Sequence, residues 1–137
     1  MQPDDARAAE AAGWLSKAAL DLKAAEFDFT AQPPLTADIV FHCQQLAEKS
    51  MKALLVWHDV QFRKTHNLLE VGLQCAEVDP TLEDLMRRAA PLTEYAWKFR
   101  YPGDLDEPAI AEAEEALAIA REVYEVVLNR LPRDARP

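Results

Sequence analysis

The stretch VFHCQQLAEKSMKALL, residues 40–55, combines the apolar spacing of an amphipathic helix with an unusual polar face. At about 100° per residue its apolar side chains fill one broad arc of a helical wheel. That arc holds Ile39, Val40, Cys43, Leu46, Ala47, Met51, Leu54 and Leu55, and the opposite arc holds His42, Gln45, Glu48, Lys49 and Lys52. The pattern predicts a helix from about Ala37 to His58.

Apolar residues at steps of three and four predict further helices on both sides of this stretch. They are a first helix from about Asp5 to Phe29, a short one beginning near Thr65, a fourth carrying Leu82 to Phe99, and a last one from about Pro108 to Leu131. No alternating run indicates a strand. We therefore predict an all-α fold, an antiparallel up-and-down four-helix bundle with an additional short helix, in a single domain over residues 1–137 with its core at about 12–130.

Prolines and capping residues predict where these helices begin and end. Pro33 and Pro34 stop the first helix, and Thr36 is a suitable N-cap for the second. Asp79 followed by Pro80 is a start signal for the fourth helix. Pro91 lies within that helix, where it predicts a kink or a local break. The segment RYPGDLDEP, residues 100–108, is predicted to end it.

Composition excludes several classes of protein. A net charge of −9 over 137 residues argues against broad, charge-driven binding of nucleic acid, which needs many Lys and Arg contacts to phosphate, and we expect no binding of double-stranded DNA. Cys43 and Cys75 lack metal or disulfide spacing, so we expect free thiols in a reducing compartment. The N-terminus is acidic where a signal peptide is basic, and no apolar run approaches the ~18 residues of a membrane span. We expect a cytoplasmic protein that does not enter the membrane.

The polar arc of residues 40–55 has two interpretations. It is either a solvated helix face, with i,i+4 pairs from Glu48 to Lys52 and from Gln45 to Lys49, or a binding site. A histidine, an amide and two ammonium groups on one stripe could bind a phosphate and a base edge. On the first helix, Lys17 and Asp21 are also four residues apart and are expected to form a surface ion pair.

Two other segments carry basic residues. In FRKTHNLLE, residues 62–70, Arg63, Lys64 and His66 lie beside a helix N-terminus, which favours an anion site. The alternative is a solvated loop in which His66 donates to a nearby carbonyl. In EYAWKFRYPG, residues 94–103, Arg100 and Tyr101 either cap a helix C-terminus or face the same cavity as Arg63 and His66.

The motifs of common enzyme classes are absent. There is no phosphate-binding glycine loop, no dinucleotide fingerprint, no nucleophile elbow and no zinc-binding H-E-x-x-H helix. The histidines at 42, 58 and 66 have no i,i+4 spacing and do not form a recognisable metal site. We therefore expect no metal and no cofactor.

Three boxes occur together in this chain: F-H-x-Q-Q-x-A-E-K-x-x-K-A from Phe41, K-T-H-x-L from Lys64, and R-Y-P from Arg100. In this order they resemble the HEPN domain family, a name standing for higher eukaryotes and prokaryotes nucleotide-binding, over roughly residues 12 to 130. The resemblance implies an all-α bundle, often homodimeric. It also implies a minimal nucleotidyltransferase partner in a two-component or toxin–antitoxin-like pair, and a polar cleft for nucleotide or RNA.

Many members of that family are metal-independent ribonucleases with an Arg followed, after four to six residues, by a His. Here only two residues separate Arg63 from His66, and no His follows Arg100. The resemblance therefore implies a binding module rather than an established enzyme. Its ligand-binding residues would be His42, Gln45, Lys49, Lys64, His66, Arg100 and Tyr101.

Two alternatives remain open. The first is a ribonuclease in which His66 is the general acid or base and Arg63 or Arg100 stabilises the charge on phosphate. The second is a purely structural dimer without a ligand. The three hypotheses differ in whether the segments around His42, His66 and Arg100 converge in space.

Overall fold

The computed structural model describes residues 3–103 and 106–137, and within them the chain forms five α-helices and no strand. The α-helices are α1 (Pro3–Asp28), α2 (Thr36–Trp57), α3 (Leu68–Val78), α4 (Glu83–Ala89) and α5 (Ile110–Arg130). Short 3-10 helices cover Pro80–Leu82, Ala90–Ala96 and Arg133–Ala135. The predicted all-α class is confirmed.

Helix α2 is the central element, packed against α1, α5 and α3. The apolar arc predicted for it is buried along its whole length, and Leu46, Met51 and Leu55 are fully inaccessible to solvent. Cys43 and Cys75 are free, buried thiols. Burial raises the pKa of each thiol to about 12, so neither is a reactive nucleophile at neutral pH.

The face of α1 that packs against the core differs from the predicted stripe. Trp14, Leu22 and Phe29 are only partly buried and flank the contact. The buried residues are mostly small, with two carboxylates among them: Ala8, Ala11, Leu15, Ala18, Asp21, Ala25 and Asp28. Small side chains let two helices approach closely, and this brings Asp21 and Asp28 next to α2.

The observed starts of α2 and α3 differ from the predicted ones by one to three residues. Thr36 is not an N-cap but the first residue of α2; it is buried, and no side chain caps this helix. Helix α3 begins at Leu68 rather than near Thr65. Its cap is Asn67, whose side chain accepts a hydrogen bond from the backbone N–H of Leu69 at 2.9 Å.

The signals around α4 are confirmed. The Asp79 side chain accepts a hydrogen bond from the Thr81 backbone N–H at 3.1 Å, and Pro80 opens the 3-10 turn that leads into α4. The predicted break at Pro91 is real, because α4 ends at Ala89 and continues as a 3-10 helix. Of the predicted terminating segment 100–108, residues 104 and 105 lie outside the described residues. Helix α5 begins at Ile110, two residues after the predicted start.

In the part of the chain that the structure describes, no helix has both the length and the apolar character needed to cross a lipid bilayer.

Candidate functional site

Asp21 of α1 binds two side chains of the polar arc of α2. Its Oδ1 lies 2.8 Å from Nδ1 of His42, and its Oδ2 accepts a hydrogen bond from Nζ of Lys49 at 2.7 Å. The Asp21 side chain is 9% exposed, whereas those of His42 and Lys49 are each 23% exposed. The hydrogen bond from His42 to Asp21 raises the pKa of His42 above its ordinary value.

The surface ion pair predicted for Lys17 and Asp21 is therefore wrong. Asp21 is buried in the α1–α2 contact and both of its oxygens bind α2. Lys17 is exposed on the outer side of α1. Residues four apart lie on nearly the same face of a helix, but here His42 and Lys49 of α2, rather than Lys17, bind the two oxygens of Asp21.

Glu48 forms a second buried carboxylate cluster on α2. Its Oε1 accepts hydrogen bonds from Gln44 at 2.9 Å and from Nδ1 of His66 at 3.0 Å, and its Oε2 accepts one from Lys52 at 3.0 Å. The amide of Gln45 donates to Gln44 at 2.6 Å. The predicted Glu48–Lys52 pair is thus present, while Lys49 binds Asp21 in place of the predicted Gln45.

This cluster fixes the imidazole of His66. The Glu48 side chain is 6% exposed and that of His66 is 69% exposed, so a buried anion holds a ring that stands in solvent. Because Nδ1–H donates to Glu48, Nε2 is the nitrogen that a ligand can reach. The structure thus joins the K-T-H segment to α2, as one of the sequence hypotheses requires.

The pH dependence of stability tests the Glu48 cluster. Burial would raise the pKa of Glu48, but hydrogen bonds from His66, Lys52 and Gln44 outweigh it and lower the pKa below its ordinary value. A lowered pKa in the folded state stabilises the protein above the unfolded-state pKa, and that contribution is lost as the pH falls through the folded-state pKa. We expect the free energy of unfolding to decrease more steeply below about pH 4.5 in the wild type than in Glu48→Gln.

Urea unfolding at a series of pH values measures this difference, with Glu114→Gln as the control for an exposed carboxyl of α5. Parallel pH curves for wild type and Glu48→Gln would mean that Glu48 is not stabilised by its hydrogen bonds.

A depression that we term the loop pocket adjoins this cluster. It is lined by Lys52, Phe62, Lys64, Thr65 and His66, with a volume of about 300 Å³. The Lys52 ammonium lies 4.9 Å from the ring centroid of Phe62 and 5.3 Å from that of Trp14, both within cation–π range. Two lysines, a histidine of fixed orientation and an aromatic ring therefore line the same pocket.

Arg100 lies elsewhere. Its guanidinium carbon is 3.7 Å from the ring centroid of Phe41, and with Asp38 it lines a separate depression at the start of α2. Since a helix rises 1.5 Å per residue, Phe41 and Lys52 are roughly 16 Å apart along α2. Tyr101 is 64% exposed.

The structure therefore brings the predicted residues together in two groups rather than one. His66 and Lys64 meet α2 at Glu48 and Lys52, while His42 and Lys49 meet α1 at Asp21. Arg63 is exposed in the loop, and its backbone N–H donates to the Gln74 side chain at 3.2 Å. Among the described residues, those lining the loop pocket include neither Arg63 nor Arg100.

Sequence reasoning missed Asp21 and Phe62 as parts of these groups, and Asp28 and Asp38 as carboxylates within 4.8 Å of His42. A signal was present for two of them. Asp21 and Asp28 lie three residues after Ala18 and Ala25 and thus within the apolar face of α1, where an unpaired carboxylate is costly. Nothing in the sequence marks Asp38 or Phe62, because their importance depends on which loop and which helix they approach.

A model of the family described as HEPN domain matches residues 11–131. No curated protein and no solved structure gives a significant match to the chain.

Proposed function

This chain belongs to the HEPN domain family, and from that premise we propose that it is a binding module that holds a nucleotide or RNA phosphate in the loop pocket and acts with a nucleotidyltransferase partner. The family match covers most of the chain. The proposal centres on Lys64 and His66, because His42 and Lys49 already bind Asp21 and Gln45 binds Gln44.

The observation that carries the proposal is the composition of the loop pocket. It concentrates Lys52, Lys64 and His66 around the ring of Phe62 in a chain of net charge −9. Ammonium and imidazole groups donate charge-assisted hydrogen bonds to phosphate oxygens, and an aromatic face stacks on a base. Lys52 is partly neutralised by Glu48, so Lys64 and His66 supply most of the attraction for an anion.

Calorimetric titration with AMP, ADP, ATP and a short single-stranded RNA at low ionic strength tests this function. We expect saturable binding of at least one ligand, weakened about tenfold or more in Lys64→Ala and in His66→Ala, since hydrogen bonds to charged groups contribute ~1.5–3 kcal/mol. Lys23→Ala, on an exposed position of α1, is the control and should bind as the wild type does. Absence of binding to the whole panel would refute the proposal.

The ribonuclease alternative is favoured by one observation, the contact between Glu48 and His66. A buried carboxylate that fixes the tautomer and orientation of an exposed imidazole is the arrangement used for general acid–base catalysis. In this alternative Arg63 would stabilise the phosphate, because Arg100 lies at the other end of α2. RNA cleavage in EDTA that disappears in His66→Ala, with the helical circular dichroism unchanged, would establish the enzyme. We expect no such cleavage.

A protein partner and self-association complete the proposal, in a cytoplasmic toxin–antitoxin-like pair. In support, Leu20 and Phe27 lie seven residues apart on one outer face of α1 and are 59% and 74% exposed. Co-purification with a nucleotidyltransferase encoded beside this chain, and the molecular mass in solution, test the two contacts separately. If the chain is monomeric and does not co-purify with such a partner, this part of the proposal is wrong. The proposal for the loop pocket is unaffected by that result.

A further inference from the structure

Three potential metal ligands meet where α1 ends and α2 begins. Asp28 is the last residue of α1, and Asp38 and His42 lie on the first two turns of α2. One ligand atom of each residue lies within 4.8 Å of the others. The connecting turn holds them in place, since the backbone carbonyl of Asp28 accepts a hydrogen bond from the N–H of Leu35 at 3.2 Å.

Asp28 provides an independent indication that something binds here. The residue is 9% exposed, and among the described residues its buried Oδ2 has no hydrogen-bond partner. A buried carboxylate oxygen without a partner is costly, and a bound ion at such an atom removes that cost. The ligand atoms of Asp28 and Asp38 lie within 4.8 Å of each other, so a cation between them would compensate both carboxylates.

The two ring nitrogens of His42 face two different carboxylates. Its Nδ1 lies 2.8 Å from Asp21, and its Nε2 lies 3.3 Å from Oδ2 of Asp38. Metal-bound histidines almost always donate their second ring N–H to a carboxylate or a carbonyl, which fixes the tautomer and orients the ring. Lys49 donates a hydrogen bond to the other oxygen of Asp21, so α2 binds both oxygens of this carboxylate.

Although the sequence predicts no metal, we propose that Asp28, Asp38 and His42 form a binding site for a divalent transition-metal ion such as Zn²⁺ or Mn²⁺, with Asp21 as a positioning residue. Two carboxylates and one neutral imidazole match the charge of such an ion, and the mixed oxygen and nitrogen ligands suit it better than Mg²⁺ or Ca²⁺, which prefer oxygen. Ligand atoms ~2.1 Å from an ion lie about 3 to 4 Å from one another, so side-chain shifts of under about 1 Å close the site.

The site would keep open coordination positions. Three protein ligands leave room for water or for an oxygen of another molecule. Asp38 is half exposed at 51% of its side chain and lines a depression together with Arg100, so the ion would be reachable from solvent beside a guanidinium. This site is separate from the loop pocket and does not depend on the function proposed for it.

Calorimetry on the full chain, freed of any histidine tag and treated with EDTA, tests the site with Zn²⁺, Mn²⁺ and Mg²⁺ in turn. We expect one ion of Zn²⁺ or Mn²⁺ per chain, weaker binding of Mg²⁺, and a rise in melting temperature on binding. Asp28→Asn keeps the shape of the side chain and should fold; it and His42→Gln should each weaken binding at least tenfold. Asp84→Asn, on an exposed carboxylate of α4, is the matched control and should bind normally.

The role of Asp21 is tested by spectroscopy. In Asp21→Asn the visible absorption of bound Co²⁺ should shift as the imidazole becomes less basic, which a purely structural role would not cause. Failure of all three ions to bind saturably would show that the proposal is wrong. Zn²⁺ binding that is unchanged in Asp28→Asn would equally overturn it, by placing the ion elsewhere.

Discussion

Replacing Asp21 by alanine is expected to lower the free energy of unfolding by about 3 kcal/mol. The Asp21 carboxylate is buried and binds both His42 and Lys49 across the α1–α2 contact. Removal of one partner of a buried ion pair costs ~3–5 kcal/mol, because the remaining charge stays without compensation. The side chains of His42 and Lys49 are each 23% exposed and regain some water, which places the expected loss at the lower end of that range.

Urea unfolding followed by circular dichroism measures this loss. The control is Asp84→Ala, because Asp84 is 87% exposed and pairs with Arg88 four residues later on α4. Exposed pairs contribute little, so the control should change the free energy of unfolding by under about 1 kcal/mol. Equal effects of the two substitutions would contradict a special structural role for Asp21.

Replacing Gly72 by leucine should be of similar severity, with an expected loss of about 3 kcal/mol. A Cβ atom built on Gly72 would lie 3.0 Å from Cβ of Met86, which is fixed to the backbone of α4, and 3.6 Å from Cε of Met51. Since even the first side-chain atom meets a rigid neighbour, the remaining atoms of leucine must push α3 away from α4.

The matched control is the same change at the other helical glycine. Gly13 of α1 is exposed, and a Cβ there would meet nothing within 4 Å. Glycine lowers helix stability by ~0.8–1.0 kcal/mol relative to alanine, so Gly13→Leu should stabilise the protein slightly. Thermal unfolding of both variants compares them directly. A stabilising Gly72→Leu would show that α3 can move away from α4 without cost.

Local sequence patterns are sufficient to predict that the fold is all-helical. The apolar arc of α2 was predicted correctly because a central helix buries one broad face whatever surrounds it, and its residues recur with the helical period. The start at Asp79 and Pro80 and the break at Pro91 were also predictable, since both depend on the covalent chemistry of proline and on a neighbouring hydrogen bond.

The candidate site was predictable only in part. The sequence marked Lys64 and His66 as basic residues next to a helix start, and they do line a pocket with Lys52 of α2. It could not pair His66 with Glu48 or assign Arg100 to a different depression, because both facts depend on how a loop and a 3-10 helix pack against α2.

Asp21 and Asp28 of α1 show most clearly which properties the sequence determines and which the tertiary structure determines. Sequence alone determines the helix, its period and the position of Asp21 and Asp28 in its apolar face. Tertiary structure decides their chemistry: the close packing of small residues places Asp21 between His42 and Lys49 and leaves Asp28 against Asp38. The role of a carboxylate cannot be assigned until its surroundings are known, because the energy of a charge depends on the partners and the water that the fold leaves around it.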